Sequence, residues 1–322
     1  MGIDLTGLRA LSFANRVYEF NFQNTVTLGR HEIHFWKQEF DAVRKNLPFK
    51  YDEALAVGSY CEPLLRALGA DDVVSIDASA FEGASLVHDF NLAVSDDLHE
   101  RFDTYLDFGS IEHIFNVAQV VDNIKNLVKI GGHILIATNA NGFPAHGLYQ
   151  YSPEFFYSVF SERNGFEDTA VFLVQPSRLK NWHLIKQPLA LKRRNEIPFE
   201  KQSVVLVFSR KVRRVAKITV QQSDYDTAWT NFAAGDWTKW DKATIPGWKS
   251  ILHRLASPFI FRNASYHYKS LLARRIYRAD HIVIDPDAVD PTFFRNAVAD
   301  TSPVASLQDK EMPPAEGAAQ MH

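Results

Sequence analysis

Glu112 and His113 stand side by side directly after an apolar run that ends in Gly109-Ser110. A carboxylate and an imidazole are the side chains best suited to take a proton from a reacting hydroxyl or amine near neutral pH. His146 is a third candidate base, and Tyr149 and Tyr151 follow it closely as candidates to position a bound acceptor. Two more carboxylates, Asp77 and Asp89, each close a short apolar run. At such positions a carboxylate can accept hydrogen bonds from ribose hydroxyls or from an adenine amino group. Phe90 or Leu92, just after Asp89, is expected to pack against the base.

These residues need strands to deliver them and helices to back them. Short apolar runs predict strands at 54–57, 73–76, 85–88, 105–108, 134–137, 170–174 and 203–208. Between them, Val117, Val120, Val121, Ile124, Leu127 and Val128 recur at helical spacing after Asn116, and Gly131-Gly132 reads as the stop. Further helices are expected at 62–68 and after Ser152-Pro153, with Ser152 as the N-cap. Alternation of this kind predicts a parallel α/β sheet, in which ligands sit beyond the carboxyl ends of the strands.

The strand expected at 54–57 runs into Gly58-Ser59-Tyr60-Cys61, with Asp77 nineteen residues after Gly58. That spacing fits a nucleotide site, with Gly58, Ser59 and Tyr60 lining the first turn and Asp77 on the ribose. Only one glycine is present, and Tyr60 and Cys61 would crowd a pyrophosphate that needs close backbone approach. A dinucleotide such as NAD is therefore disfavoured. S-adenosylmethionine (SAM) has no phosphate to cradle and tolerates such a turn.

A net charge of −3 conceals a division along the chain. Residues 1–179 carry 13 Lys+Arg against 24 Asp+Glu, residues 180–280 carry 20 against 7, and the remainder carries 2 against 7. The basic block 180–280 fits either an anionic partner or the acidic part of its own chain. It contains no recognised RNA-binding motif, so a nucleic-acid partner is disfavoured. Four of the six tryptophans (Trp229, Trp237, Trp240, Trp248) cluster in twenty residues, as an aromatic core or a platform for sugar rings. With one cysteine, Cys61, and no apolar run of membrane-spanning length, a cytoplasmic protein is expected. His31 and His34 have no third ligand near them in sequence, so no metal centre is expected.

Three strings carry a resemblance: DASAFEGASLVHDFN (77–91), GSIEHIFN (109–116) and AHGLYQYSPE (145–154). Together with Gly131-Gly132 and the strand order, they resemble class I SAM-dependent methyltransferases. More narrowly, they resemble a bacterial methyltransferase-like group often associated with surface-glycan biosynthesis. The class-level likeness covers roughly residues 50–210. It implies a Rossmann-like seven-stranded sheet, mostly parallel with an antiparallel last strand, from 51 to 214. An N-terminal extension (1–50), a C-terminal aromatic and basic subdomain (215–296) and a disordered tail (297–322) would complete the chain.

The resemblance further implies SAM as cofactor and a sugar or glycan intermediate as acceptor. Gly58, Ser59 and Tyr60 would lie at the methionine end, Asp77 at the ribose, Asp89 and Phe90 at the adenine, and Gly109 and Ser110 beside the ligand. The acidic residue usual two positions before the first glycine is Ala56 here. That departure leaves a second reading, a non-catalytic binding or assembly protein on the same fold. An NAD-dependent oxidoreductase is the weaker third.

Overall fold

The computed structural model describes residues 2–176, 180–191, 201–223 and 281–301, together with 178, 195, 225 and 229. Among the described residues, nine strands form one sheet: β1 (Asn24–Leu28), β2 (Asp72–Asp77), β3 (Leu86–Val87), β4 (Phe102–Phe108), β5 (Val128–Asn141), β6 (Phe166–Val174), β7 (Trp182–Ile185), β8 (Ser203–Lys211) and β9 (His281–Ile284). Their order across the sheet is β9-β7-β6-β8-β5-β4-β1-β2-β3. The five strands from β3 to β5 pair in parallel, and β8 inserts antiparallel between β5 and β6. β7 and β9 then extend the edge in antiparallel fashion. The sheet is therefore larger and more mixed than the seven strands expected from sequence.

Period-two alternation sends side chains to two cores. On β4, Leu106 and Phe108 join one face while Tyr105 joins the other; on β8, Leu206 and Phe208 part from Val205 and Val207 in the same way. Helices α1 (Leu5–Val17) and α6 (Pro291–Thr301) contribute Phe13 and Phe294 to the first core. Helix α4 (Val117–Leu127) contributes Val120, Val121, Ile124 and Leu127 to the second, its N-terminus capped by Asn116 accepting from Gln119 N at 3.3 Å. Helix α5 (Pro153–Val159) adds Phe156, with Ser152 as its cap and Pro153 in its first turn, as the sequence predicts.

The largest departure concerns the first strand. No strand forms at 54–57, where one was expected: Glu53–Leu55 is a 3-10 turn, and the central position belongs to Asn24–Leu28. The chain leaves β1, pairs Glu32–Ile33 in parallel with Gly2–Ile3, forms the short helix α2 (Lys37–Val43) and returns past Gly58. Only then does it enter α3 (Glu62–Ala67). A detour of some thirty residues thus separates the first strand from its helix and hides the usual strand-turn-helix pattern.

Two smaller expectations also change. Gly131-Gly132 does not stop a helix: α4 ends at Leu127 and β5 runs unbroken from Val128 to Asn141. A Cβ on Gly132 would lie 2.9 Å from the Asp103 carbonyl oxygen, so the glycine allows a close backbone approach where the pairing with β4 shifts register. Of the tail expected from residue 297, residues 297–301 belong to α6, which buries Ala297 and Val298, and residues 302–322 lie outside the described residues. Trp237, Trp240, Trp248 and most of the basic block lie outside the described residues; Trp229 is exposed and contacts Tyr225.

Candidate functional site

Strand order reverses between β1 and β4, since β2 and β3 lie to one side and β5 to the other. At such a switch point the loops leave the sheet in opposite directions and open a crevice beyond the strand ends. The turn after β1 contributes Gly29 and Arg30; the loop after β4 contributes Gly109 to His113.

Gly29 has φ +81°, and a Cβ there would lie 2.8 Å from Ser110 Oγ and 3.9 Å from Asp77 Oδ2. Glycine is thus required twice over, for the left-handed backbone and for the approach of the β4 loop. The turn is braced internally: Gly29 N donates to Ile76 O at 2.7 Å, Thr27 Oγ1 to Gly29 O at 2.7 Å, and Ser110 Oγ to Leu28 O at 2.6 Å. Behind it, His31 is buried with Phe108 N donating to its Nε2 at 3.3 Å. Burial depresses the imidazole pKa to about 3, so the ring is neutral. Arg30 reaches outward, donating to Glu62 Oε1 at 2.7 Å and Glu82 O at 2.8 Å, with its guanidinium 3.8 Å from the centre of the Tyr60 ring.

The loop after β4 is built around a buried carboxyl. Asp107 Oδ1 accepts from Ser110 N at 2.7 Å and Oδ2 from Ile111 N at 3.1 Å. Burial, followed by the neighbouring Glu112 charge, holds the Asp107 pKa well above the usual carboxylate range. Glu112 is 1% exposed, and its Oε2 accepts from Thr138 Oγ1 at 2.7 Å. Its Oε1 lies 3.8 Å from Nε2 of the exposed His146. The His113 and His146 rings meet edge to face with centroids 5.0 Å apart. Glu112, His113 and His146 therefore converge, although His146 comes from the segment beyond β5.

The remaining residues singled out by sequence sort differently. Asp77 is half-buried at the end of β2, with Oδ1 accepting from Ser79 N at 3.0 Å and Oδ2 directed toward Gly29. Asp89 is exposed and accepts from Asn91 N and Nδ2, which lowers its pKa and makes it a turn anchor. Asn91 in turn receives Asn116 N at 2.9 Å, tying the loop after β3 to the start of α4. The Phe90 ring is 2% exposed in the second core, whereas Leu92 is exposed. Tyr149 Oη donates to Phe115 O at 2.9 Å and Tyr151 Oη to Ile111 O at 3.2 Å, so both tyrosines fasten the β4 loop.

Gly58, Ser59 and Tyr60 stand one step away from the switch point. Gly58 has φ +84° with open space around it, Ser59 Oγ donates to Ala54 O and Ala56 O, and Tyr60 packs under Arg30. The place assigned to this turn is occupied by Gly29-Arg30. Sequence reasoning also missed Asp107 and Thr138. A charged residue inside the run Tyr105–Phe108 was the available signal for Asp107, since an unpaired charge is not tolerated in a core strand.

No protein-family model matches the sequence, and no curated protein matches it at a significant level. Among solved structures, the chain resembles the YcgJ protein of Bacillus subtilis, at 11% identity and a TM-score of 0.36 over 64% of this chain and 100% of that one. It also resembles a branched-chain polyamine synthase of Thermus thermophilus, at 13% identity and 0.36 over 68% and 58%. A third is the 1,6-didemethyltoxoflavin-N1-methyltransferase of Burkholderia thailandensis, solved with S-adenosylhomocysteine, at 12% identity and 0.32 over 63% and 79%. Likeness this distant transfers neither activity nor ligand to this chain.

Proposed function

We propose that the chain is a SAM-dependent methyltransferase whose acceptor is a small molecule, a sugar or glycan intermediate by the resemblance of its sequence strings. One observation carries the reading: the half-buried Asp77 carboxylate faces a side-chain-free turn, Gly29, at the switch point of the sheet. A carboxylate there suits a ribose diol. Methyl transfer asks the protein mainly to align donor and acceptor, exclude water and accept a proton. Glu112 and His113, on the loop after β4, and His146, beyond β5, are the groups proposed to take the proton.

The turn after β1 also weighs against a dinucleotide. Gly29 is followed by a two-residue strand and not by a helix, since α3 starts only at Glu62. The helix N-terminus that a pyrophosphate uses is missing from this turn. A second reading, a binding or assembly protein without catalysis, draws support from the internal bonding of the turn. The Gly29 N–H and the Ser110 hydroxyl are both committed to carbonyl groups of the protein.

Calorimetric titration with SAM, S-adenosylhomocysteine and NAD tests these readings. Saturable binding of the first two is expected, weakened about tenfold or more in Asp77→Ala through loss of the ribose hydrogen bonds. A folded protein that binds neither would sink the methyltransferase reading, and tight NAD binding would replace it with an oxidoreductase. Binding of SAM without methyl transfer to any glycan or amine acceptor would favour the assembly role.

A further inference from the structure

We propose that Glu112, His113 and His146 form a site for one divalent transition-metal ion. Their ligand atoms all lie within 4.8 Å of one another. Two imidazoles and one carboxylate form a donor set typical of Zn2+ or Fe2+, whereas Ca2+ and Mg2+ prefer oxygen alone. The proposal stands apart from the methyl-transfer reading, because metal binding is measured without donor or acceptor.

The surroundings have the features of a built site. Glu112 is withdrawn from water, yet among the described residues only its Oε2 has a hydrogen-bond partner, Thr138 Oγ1 at 2.7 Å. A ligating carboxylate is ordinarily oriented by such a second group. Oε1 faces His146 Nε2 at 3.8 Å, too far for a hydrogen bond and near the spacing of two ligands on one ion. With metal–ligand bonds of about 2.0–2.2 Å, adjacent tetrahedral ligands lie roughly 3.5 Å apart. Rotation of the two exposed histidine side chains closes the remaining gap.

The backbone holds His146 over the carboxylate. Leu148 N and Tyr149 N both donate to Glu112 O, at 2.7 and 3.2 Å, and Asn139 Nδ2 donates to His146 O at 3.4 Å. Gly147, between them, has φ +77°, and a Cβ there would lie 2.9 Å from Glu112 Cγ. The loop carrying His146 is thus fitted against Glu112 itself. Three protein ligands leave positions open on the ion, where an acceptor hydroxyl could be polarised; with the ligand lone pairs held by the metal, its proton would pass to water and not to Glu112, His113 or His146.

The test uses the full chain, stripped with a chelator, dialysed, and titrated with Co2+ while its visible absorption is followed, then with Zn2+ in competition. The expected result is one strong equivalent, with affinity falling about 10- to 100-fold in Thr138→Val and at least as far in Glu112→Gln and His146→Ala. His34→Ala, at an exposed histidine outside the cluster, is expected to bind as the wild type does. Absence of saturable binding below millimolar Co2+ overturns the proposal. So does wild-type affinity in His146→Ala, whose exposed side chain can be removed without unfolding the protein even if Glu112→Gln fails to fold.

Discussion

The two turns that meet at the switch point are held by different kinds of group. The turn after β1 is fixed by one backbone bond, Gly29 N to Ile76 O, and by two short hydroxyl braces to backbone carbonyls, from Thr27 and Ser110. The loop after β4 is fixed by side chains: a buried Asp107 under two backbone amides, Glu112 on Thr138, and two tyrosine hydroxyls on its carbonyls. Backbone bonds are available to any sequence, whereas buried carboxyls and tyrosines are specific. A turn of the first kind leaves only a glycine and two hydroxyl residues as its trace in the amino-acid order; one of the second kind announces itself.

The sharpest way to break this contrast is Asp107→Ala. It strands the Ser110 and Ile111 N–H groups in the core, at about 1–3 kcal/mol each. Urea denaturation should report a loss of about 3 kcal/mol or more, and a loss below 1 kcal/mol would mean that the β4 loop is not organised by this carboxyl.

Next in size is a pH effect at His31, which links the β1 turn to β4. Its unfolded pKa is near the ordinary value and its folded pKa is about 3. Above the unfolded pKa both states are neutral and the group contributes nothing. As pH falls below it, the unfolded chain takes up a proton that the folded protein refuses, so stability drops by about 1.4 kcal/mol per pH unit. His31→Gln keeps an acceptor for Phe108 N–H and does not titrate. Between pH 6.5 and 4.5 the wild type should therefore lose roughly 2–3 kcal/mol more than this variant. Equal losses would show that the ring is solvated or charged in the folded state.

The smallest of the three is Gly29→Ala. Left-handed backbone and the approach of Ser110 Oγ predict a cost of roughly 1–3 kcal/mol. A neutral result would show that the β4 loop can move away from the turn, and would undo the argument that the two are fitted together.

The same contrast explains what could be read from the sequence. The strands ending at Asp77 and Phe108, the α4 cap at Asn116 and the Ser152-Pro153 helix start were legible because side-chain pattern and capping chemistry dictate them locally. Convergence of His146 on Glu112 was not, since it depends on Gly147 folding back across the end of β5. The first strand was lost for a different reason. In the sequence, Asn24–Leu28 alternates threonine with aliphatic residues, is only five residues long, and is followed by the detour through α2. The period was present, but the helix that should confirm it begins only at Glu62.

The far ends of the described chain are joined by the buried pair Arg9 Nε and Asp287 Oδ2 at 3.1 Å, with Arg16 donating to Pro286 O and Val289 O. During synthesis these partners are separated in time as well as in sequence. At ~5–20 residues per second, Arg9 leaves the ribosome on the order of tens of seconds before its carboxylate exists. Through that interval α1 must wait with a charged side chain facing an unfinished core. Translation therefore sets the earliest moment at which α1 can be locked: its contacts to residues 286–289 cannot form before those residues are made.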